Sequence, residues 1–69
     1  MTDYILIFDM PREAGSMQVK VNRKLKSLGA VRLQYSTWES KNFSGLKEVA
    51  KLVKQVGGTS MILEKKVVF

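Results

Sequence analysis

The chain has 69 residues, of which 45% are hydrophobic, and carries twelve Lys and Arg against six Asp and Glu, for a net charge of +6. That is one domain with enough apolar side chains for a core, too many for a disordered tail, and a charge balance that favours a polyanionic partner, the plainer alternative being a soluble basic surface. With no Cys and no His, disulfides, thiolate metal sites and thiol catalysis are excluded, and the commonest general base is missing, so a hydrolase here is left with carboxylates, hydroxyls, Lys, Arg and a hard metal ion.

In chain order, the run Tyr4-Ile5-Leu6-Ile7-Phe8 is near-continuously apolar and rich in strand formers, which predicts a central strand covered on both faces. Asp9 stands at its end, and residues 9–15 read as a loop punctuated by Pro11 and Gly15, with Ser16 as the cap of a helix. Over 17–28, Met17, Val21, Leu25 and Leu28 fall on one apolar stripe, while Lys20, Arg23, Lys24 and Lys26 lie on other sides. Lys26 suits the negative end of the helix dipole, and Gly29 fits the left-handed position that ends a helix.

Val31, Leu33 and Tyr35 then alternate with Arg32 and Gln34, a strand period with one face buried, which places Tyr35 in the core. Residues 37–39 read as a further short strand, with a tight bend or bulge at 34–36 between the two. A polar loop at 40–44 leads to a helix over 45–56. Its broad apolar face is Leu46, Val49, Ala50, Val53 and Val56, with Leu52 at the margin, and Lys47, Lys51 and Lys54 form a basic stripe on the other side. Gly57-Gly58 ends it, residues 60–63 read as a last strand, and Val67-Val68-Phe69 either continue that strand or form a separate one.

The order β-α-β-β-α-β predicts an α+β fold, a four-stranded antiparallel sheet with both helices on one face. The other face is left uncovered by the chain. Either Tyr4, Leu6 and Phe8 or Ile5 and Ile7 point there, and a second copy packed sheet against sheet is the simplest cover. A chain this short buries only roughly 60% of its unfolded surface, which also leans towards an oligomer. No stretch approaches the ~20 apolar residues of a membrane span. The start Met1-Thr2-Asp3 lacks the basic region of a signal peptide, so a cytoplasmic home is expected.

Two segments carry a family likeness. Tyr4-Ile5-Leu6-Ile7-Phe8-Asp9-Met10-Pro11, the basic helix ending Leu25-Lys26-Ser27-Leu28-Gly29, and the stretch Val31-Arg32-Leu33-Gln34-Tyr35-Ser36-Thr37-Trp38-Glu39 resemble, in order and spacing, the second CRISPR-associated protein family. Its wider superfamily includes the C-terminal domain of phenylacetate-pathway repressors and the virulence-associated protein D ribonucleases. The resemblance covers roughly the first forty residues; the rest matches only in pattern. It implies a ferredoxin-like dimer over residues 1–69, a structural role holding duplex DNA beside a CRISPR integrase, and, in some members, a metal-dependent nuclease activity. It also implies that Asp9 is the metal-associated carboxylate, that Arg12 lies in a loop that carries basic residues, and that Ser36 and Trp38 hold the family's Ser and aromatic positions. The loop Met10-Pro11-Arg12-Glu13-Ala14-Gly15 departs from the family's run of Arg residues. Family members also continue with a further strand that completes the dimer.

The chemistry of these candidates has plainer alternatives. One carboxylate is a poor Mg²⁺ or Mn²⁺ site, but a two-fold axis beside Asp9 would supply two, and the ion could then polarise a phosphodiester and activate water. Asp9 equally well caps a turn. Trp38 stacks on a base or sits in the core; Ser36 binds phosphate or holds a bend. Lys20, Arg23, Lys24, Lys26, Lys47, Lys51 and Lys54 bind phosphates without reading sequence, or form a solvated face. The expected protein is a dimeric binder of DNA or RNA with weak phosphodiesterase activity at Asp9. Its rivals are a stand-alone, toxin-like endoribonuclease and a regulatory module whose open sheet binds a protein.

Overall fold

The computed structural model describes residues 2–66. Its elements run β1 (Tyr4–Asp9), α1 (Gly15–Ser27), β2 (Val31–Gln34), β3 (Thr37–Ser40), α2 (Phe43–Gln55) and β4 (Thr59–Glu64). The strands form one sheet in the order β2-β3-β1-β4, with antiparallel pairing throughout. This is the expected ferredoxin-like α+β arrangement. The alternatives for residues 67–69 lie outside the described residues.

The alternation of β1 decides which face the helices cover. Leu6 and Phe8 are buried with Val21 and Leu25 of α1, Trp38 of β3, and Leu46, Val49 and Val53 of α2. Tyr4 packs beside them, its ring 4.8 Å from that of Phe43. Ile5, Ile7 and Asp9 therefore point to the open face. Across the ladders, Ile5 meets Glu39 and Leu63, Ile7 meets Thr37 and Met61, and Asp9 meets Thr59. Val31 joins this face opposite Glu39. The two possibilities left by the sequence thus resolve to Ile5 and Ile7.

The helix boundaries follow from their ends. α1 begins at Gly15, after a turn in which the Ala14 amide donates to the Pro11 carbonyl, and Ala14, not Ser16, holds the cap position without any side-chain bond. α2 begins at Phe43, two residues before the expected start, because the Asn42 side chain accepts from the Gly45 amide at 2.9 Å. The Asn42 amide in turn donates to the Ser40 hydroxyl at 3.1 Å. Both helices end alike. Gly29 and Gly57 have φ of 73° and 81°, and the amides of Ala30 and Gly58 reach back to the Leu25 and Val53 carbonyls, the double-bonded termination that glycine favours.

The helices approach closely at Gly45, where an added Cβ would lie 2.6 Å from a Leu28 methyl. The buried face expected of Val31, Leu33 and Tyr35 fails here: all three are exposed, and Tyr35, expected in the core, is 82% exposed. The β2–β3 ladder slips between Arg32 and Gln34, so Leu33 is bulged, and Tyr35 falls in the turn. No residue other than glycine has a positive φ among the described residues. The turn therefore cannot be of the primed kind that matches strand twist, and the bulge absorbs the difference.

Candidate nucleic-acid interface

The charge of the chain is unevenly placed. α1 carries Lys20, Arg23, Lys24 and Lys26 with no acidic residue, and α2 carries Lys47, Lys51 and Lys54 with one, Glu48. Seven cations against one anion account for the whole net charge of +6, because the remaining five cations and five anions of the chain cancel. The helices form one layer, so that side of the molecule is basic, whereas the strands carry Asp9, Glu39 and Glu64 against Arg32 alone.

Within that layer the cations divide. Lys20 and Lys24, one turn apart on α1, face α2 across a groove also lined by Glu48, Lys51, Leu52 and Gln55. Lys24 Nζ lies 3.1 Å from Glu48 Oε2, with the Lys24 side chain partly and the Glu48 side chain mostly in water. Lys51 and Lys54 also edge a depression with Gly58, Thr59 and Ser60 beside β4. The Lys47 ammonium sits 5.6 Å from the centre of the Phe43 ring. Arg23 and Lys26 are exposed on α1, outside the lining of this groove. Long aliphatic stems over an apolar helix face leave the charged heads free for phosphate oxygens.

Asp9 and its neighbours are elsewhere. The Asp9 side chain is exposed on the open sheet face, away from the helix layer, beside a shallow depression lined by Ile7, Phe8, Thr59, Ser60 and Met61. No group of three acidic residues placed to hold a metal ion occurs among the described residues. The side chain across the ladder from Asp9 on the same face is that of Thr59, a hydroxyl. One chain therefore offers Mg²⁺ or Mn²⁺ a single charged ligand, and that set does not by itself make a site for such an ion. The Asp9 backbone is closely packed, since an added Cβ at Gly58 would strike its carbonyl oxygen.

Arg12 is exposed in the turn before α1. Ser36 is half-buried in the β2–β3 turn, where its carbonyl accepts from the Phe8 amide at 3.1 Å. Trp38 is 3% exposed in the core, so it presents no ring to a base. Its Nε1–H is buried without an acceptor among the described residues.

Sequence reasoning missed two features. The first is the exposed Tyr35 ring with the Arg32 guanidinium 5.0 Å above it, beside a bulge that falls at Leu33 and not in the expected 34–36. The second is the pair Lys65 Nζ–Glu39 Oε1 at 2.8 Å, which spans β1 on the open face. Its signal was present as the register of β3 and β4 on β1, which a linear pattern does not reveal. Glu39 accepts a hydrogen bond from the Lys65 ammonium and, with its charge, raises the Lys65 pKa above the ordinary 10.5.

No helix among the described residues is long and apolar enough to cross a membrane. No protein-family model and no curated protein matches this sequence.

Proposed function

We propose that this chain is a nucleic-acid-binding module that grips phosphates with its helical layer and works as a homodimer joined through its open sheet. The observation that carries the reading is the concentration of the entire net charge of +6 on two helices of one face. Lysines and arginines on helix surfaces contact phosphate oxygens, release counterions and carry no base readout. The helix layer has no aromatic platform beyond Phe43, which Lys47 covers, so the binding is indifferent to sequence. The dimer reading is supported by Ile5, Ile7, Val31, Met61 and Leu63 on the uncovered face, with exposed Leu33 in the bulge beside them. The likeness of residues 4–39 to the second CRISPR-associated family favours duplex DNA as ligand and an integrase as further partner.

A second reading, cleavage of RNA or DNA with Mg²⁺ or Mn²⁺ at Asp9, is kept by one observation. Asp9 lies on the same face as the apolar patch, so a face-to-face dimer is the arrangement that could add a second carboxylate. A bound ion there would polarise a phosphodiester.

The test incubates labelled duplex DNA and single-stranded RNA with the protein and with Asp9→Asn, with and without Mg²⁺ or Mn²⁺. Salt-sensitive binding without cutting, equal in both proteins, supports the binding module. Metal-dependent cutting lost in Asp9→Asn makes the second reading correct. An absence of binding to either nucleic acid at low salt removes both and leaves the open sheet as a protein-binding surface.

A further inference from the structure

We propose that one phosphodiester strand seats in the groove between α1 and α2, and that Glu48 competes with the bound phosphates for Lys24. The proposal rests on the helical layer being the nucleic-acid surface and locates the contact within it. The groove is open to solvent, has a volume of about 380 Å³ and is lined by Lys20, Lys24, Glu48, Lys51, Leu52 and Gln55. Its composition suits an extended polyanion. Ammonium groups stand on both banks, Lys20 and Lys24 on α1 and Lys51 on α2, and half-buried Leu52 lies between them. Gln55 adds a neutral donor one turn beyond Lys51. Among the described residues, neither Lys20 nor Lys51 has a carboxylate in ion-pair range, so both are available to phosphate.

Lys24 differs. Its Nζ is held 3.1 Å from Glu48, the single acidic side chain on the two helices. The pair is exposed, with 39% and 62% of the two side chains in solvent, and exposed pairs contribute little to stability. Lys24 can therefore exchange the carboxylate for a phosphate oxygen, which offers a charge-assisted bond of the same kind. Once it does, Glu48 is left beside a phosphate of like charge. Glu48 thus weakens binding as the one anion in a groove otherwise lined by cations and neutral side chains, and it limits how long a strand stays seated.

The experiment measures binding of a short labelled DNA duplex and of the matching RNA duplex across a salt series. The proteins are wild type, Glu48→Gln, Glu13→Gln, Lys24→Gln, the double variant Glu48→Gln/Lys24→Gln, and two charge-matched pairs, Lys20→Gln/Lys51→Gln and Arg23→Gln/Lys26→Gln. Circular dichroism checks that each folds. Glu48→Gln is expected to tighten binding several-fold, more than Glu13→Gln, which makes the same charge change in the loop before α1. That gain disappears when Lys24 is already Gln. Lys20→Gln/Lys51→Gln is expected to weaken binding at least several-fold more than Arg23→Gln/Lys26→Gln. Equal effects of the two Glu variants, or a Glu48→Gln gain that persists without Lys24, overturn the competitor role. Equal weakening by the two cation pairs overturns the groove as the seat while the binding module stands. A failure of wild type to bind either duplex overturns the module and this inference together.

Discussion

Gly58 fixes the end of β1 more tightly than its lack of a side chain suggests. A Cβ there would strike the Asp9 carbonyl oxygen and come within 2.6 Å of a Val53 methyl. Backbone cannot yield as a side chain can, so Gly58→Ala should destabilise the fold by about 1–3 kcal/mol, the usual cost of overpacking. Chemical denaturation checks this, and an unchanged midpoint would mean that the strand end moves freely. At Gly45 the added methyl meets side chains rather than backbone, the Leu28 methyls and Asn42 Cγ. The sequence shows Gly57-Gly58 as a helix stop, and it is one, but the packing role of Gly58 depends on β4 lying against Asp9, which no local pattern encodes. Trp38 and Tyr35 mark the same limit. Both sit in β-rich sequence, yet one is 3% and the other 82% exposed, because the bulge at Leu33 intervenes.

At the scale of elements, the periodic segments were legible and the edges were not. The stripes Met17-Val21-Leu25-Leu28 and Leu46-Val49-Val53 do face the core, since burial enforces a helical repeat over several turns. The start of α2 escaped because a polar run hid its cap. Asn42→Ala removes the acceptor of the Gly45 amide and should cost about 0.5–2 kcal/mol, read as a lower thermal midpoint. Between strands, the Lys65–Glu39 pair links β3 to the end of β4. Glu39 raises the Lys65 pKa through the hydrogen bond first and its charge second. A cation with a raised folded value adds stability that is full below the ordinary 10.5 and is lost as pH rises through the folded value. The stability advantage of wild type over Glu39→Gln should therefore hold at neutral pH and shrink in strongly alkaline solution. A difference constant with pH would contradict this assignment.

For the whole molecule, two faces of opposite character follow from one topology. The β-α-β-β-α-β order puts both helices on one side, so their charges add, and it leaves Ile5, Ile7, Met61 and Leu63 without a helix to cover them. The seven helix cations were all legible as off-stripe positions. Their separation from Asp9 was not, because facing follows from strand parity and crossover together. If the open face joins two copies, Ile7→Lys should shift the solution mass from dimer to monomer at micromolar concentration while the fold persists, because Ile7 lies outside the core. A monomeric wild type would leave that face for another partner.

The most direct test of a basic helical face that grips phosphates is the salt dependence of duplex DNA binding by wild type and by a variant with Lys20, Arg23, Lys47 and Lys54 changed to Gln. The logarithm of the wild-type affinity should fall linearly with that of salt concentration. The slope for the variant should be shallower by about 0.9 for each phosphate that its missing cations no longer neutralise. Binding that is insensitive to salt, or a variant indistinguishable from wild type, would contradict the assignment of the helical layer to nucleic acid.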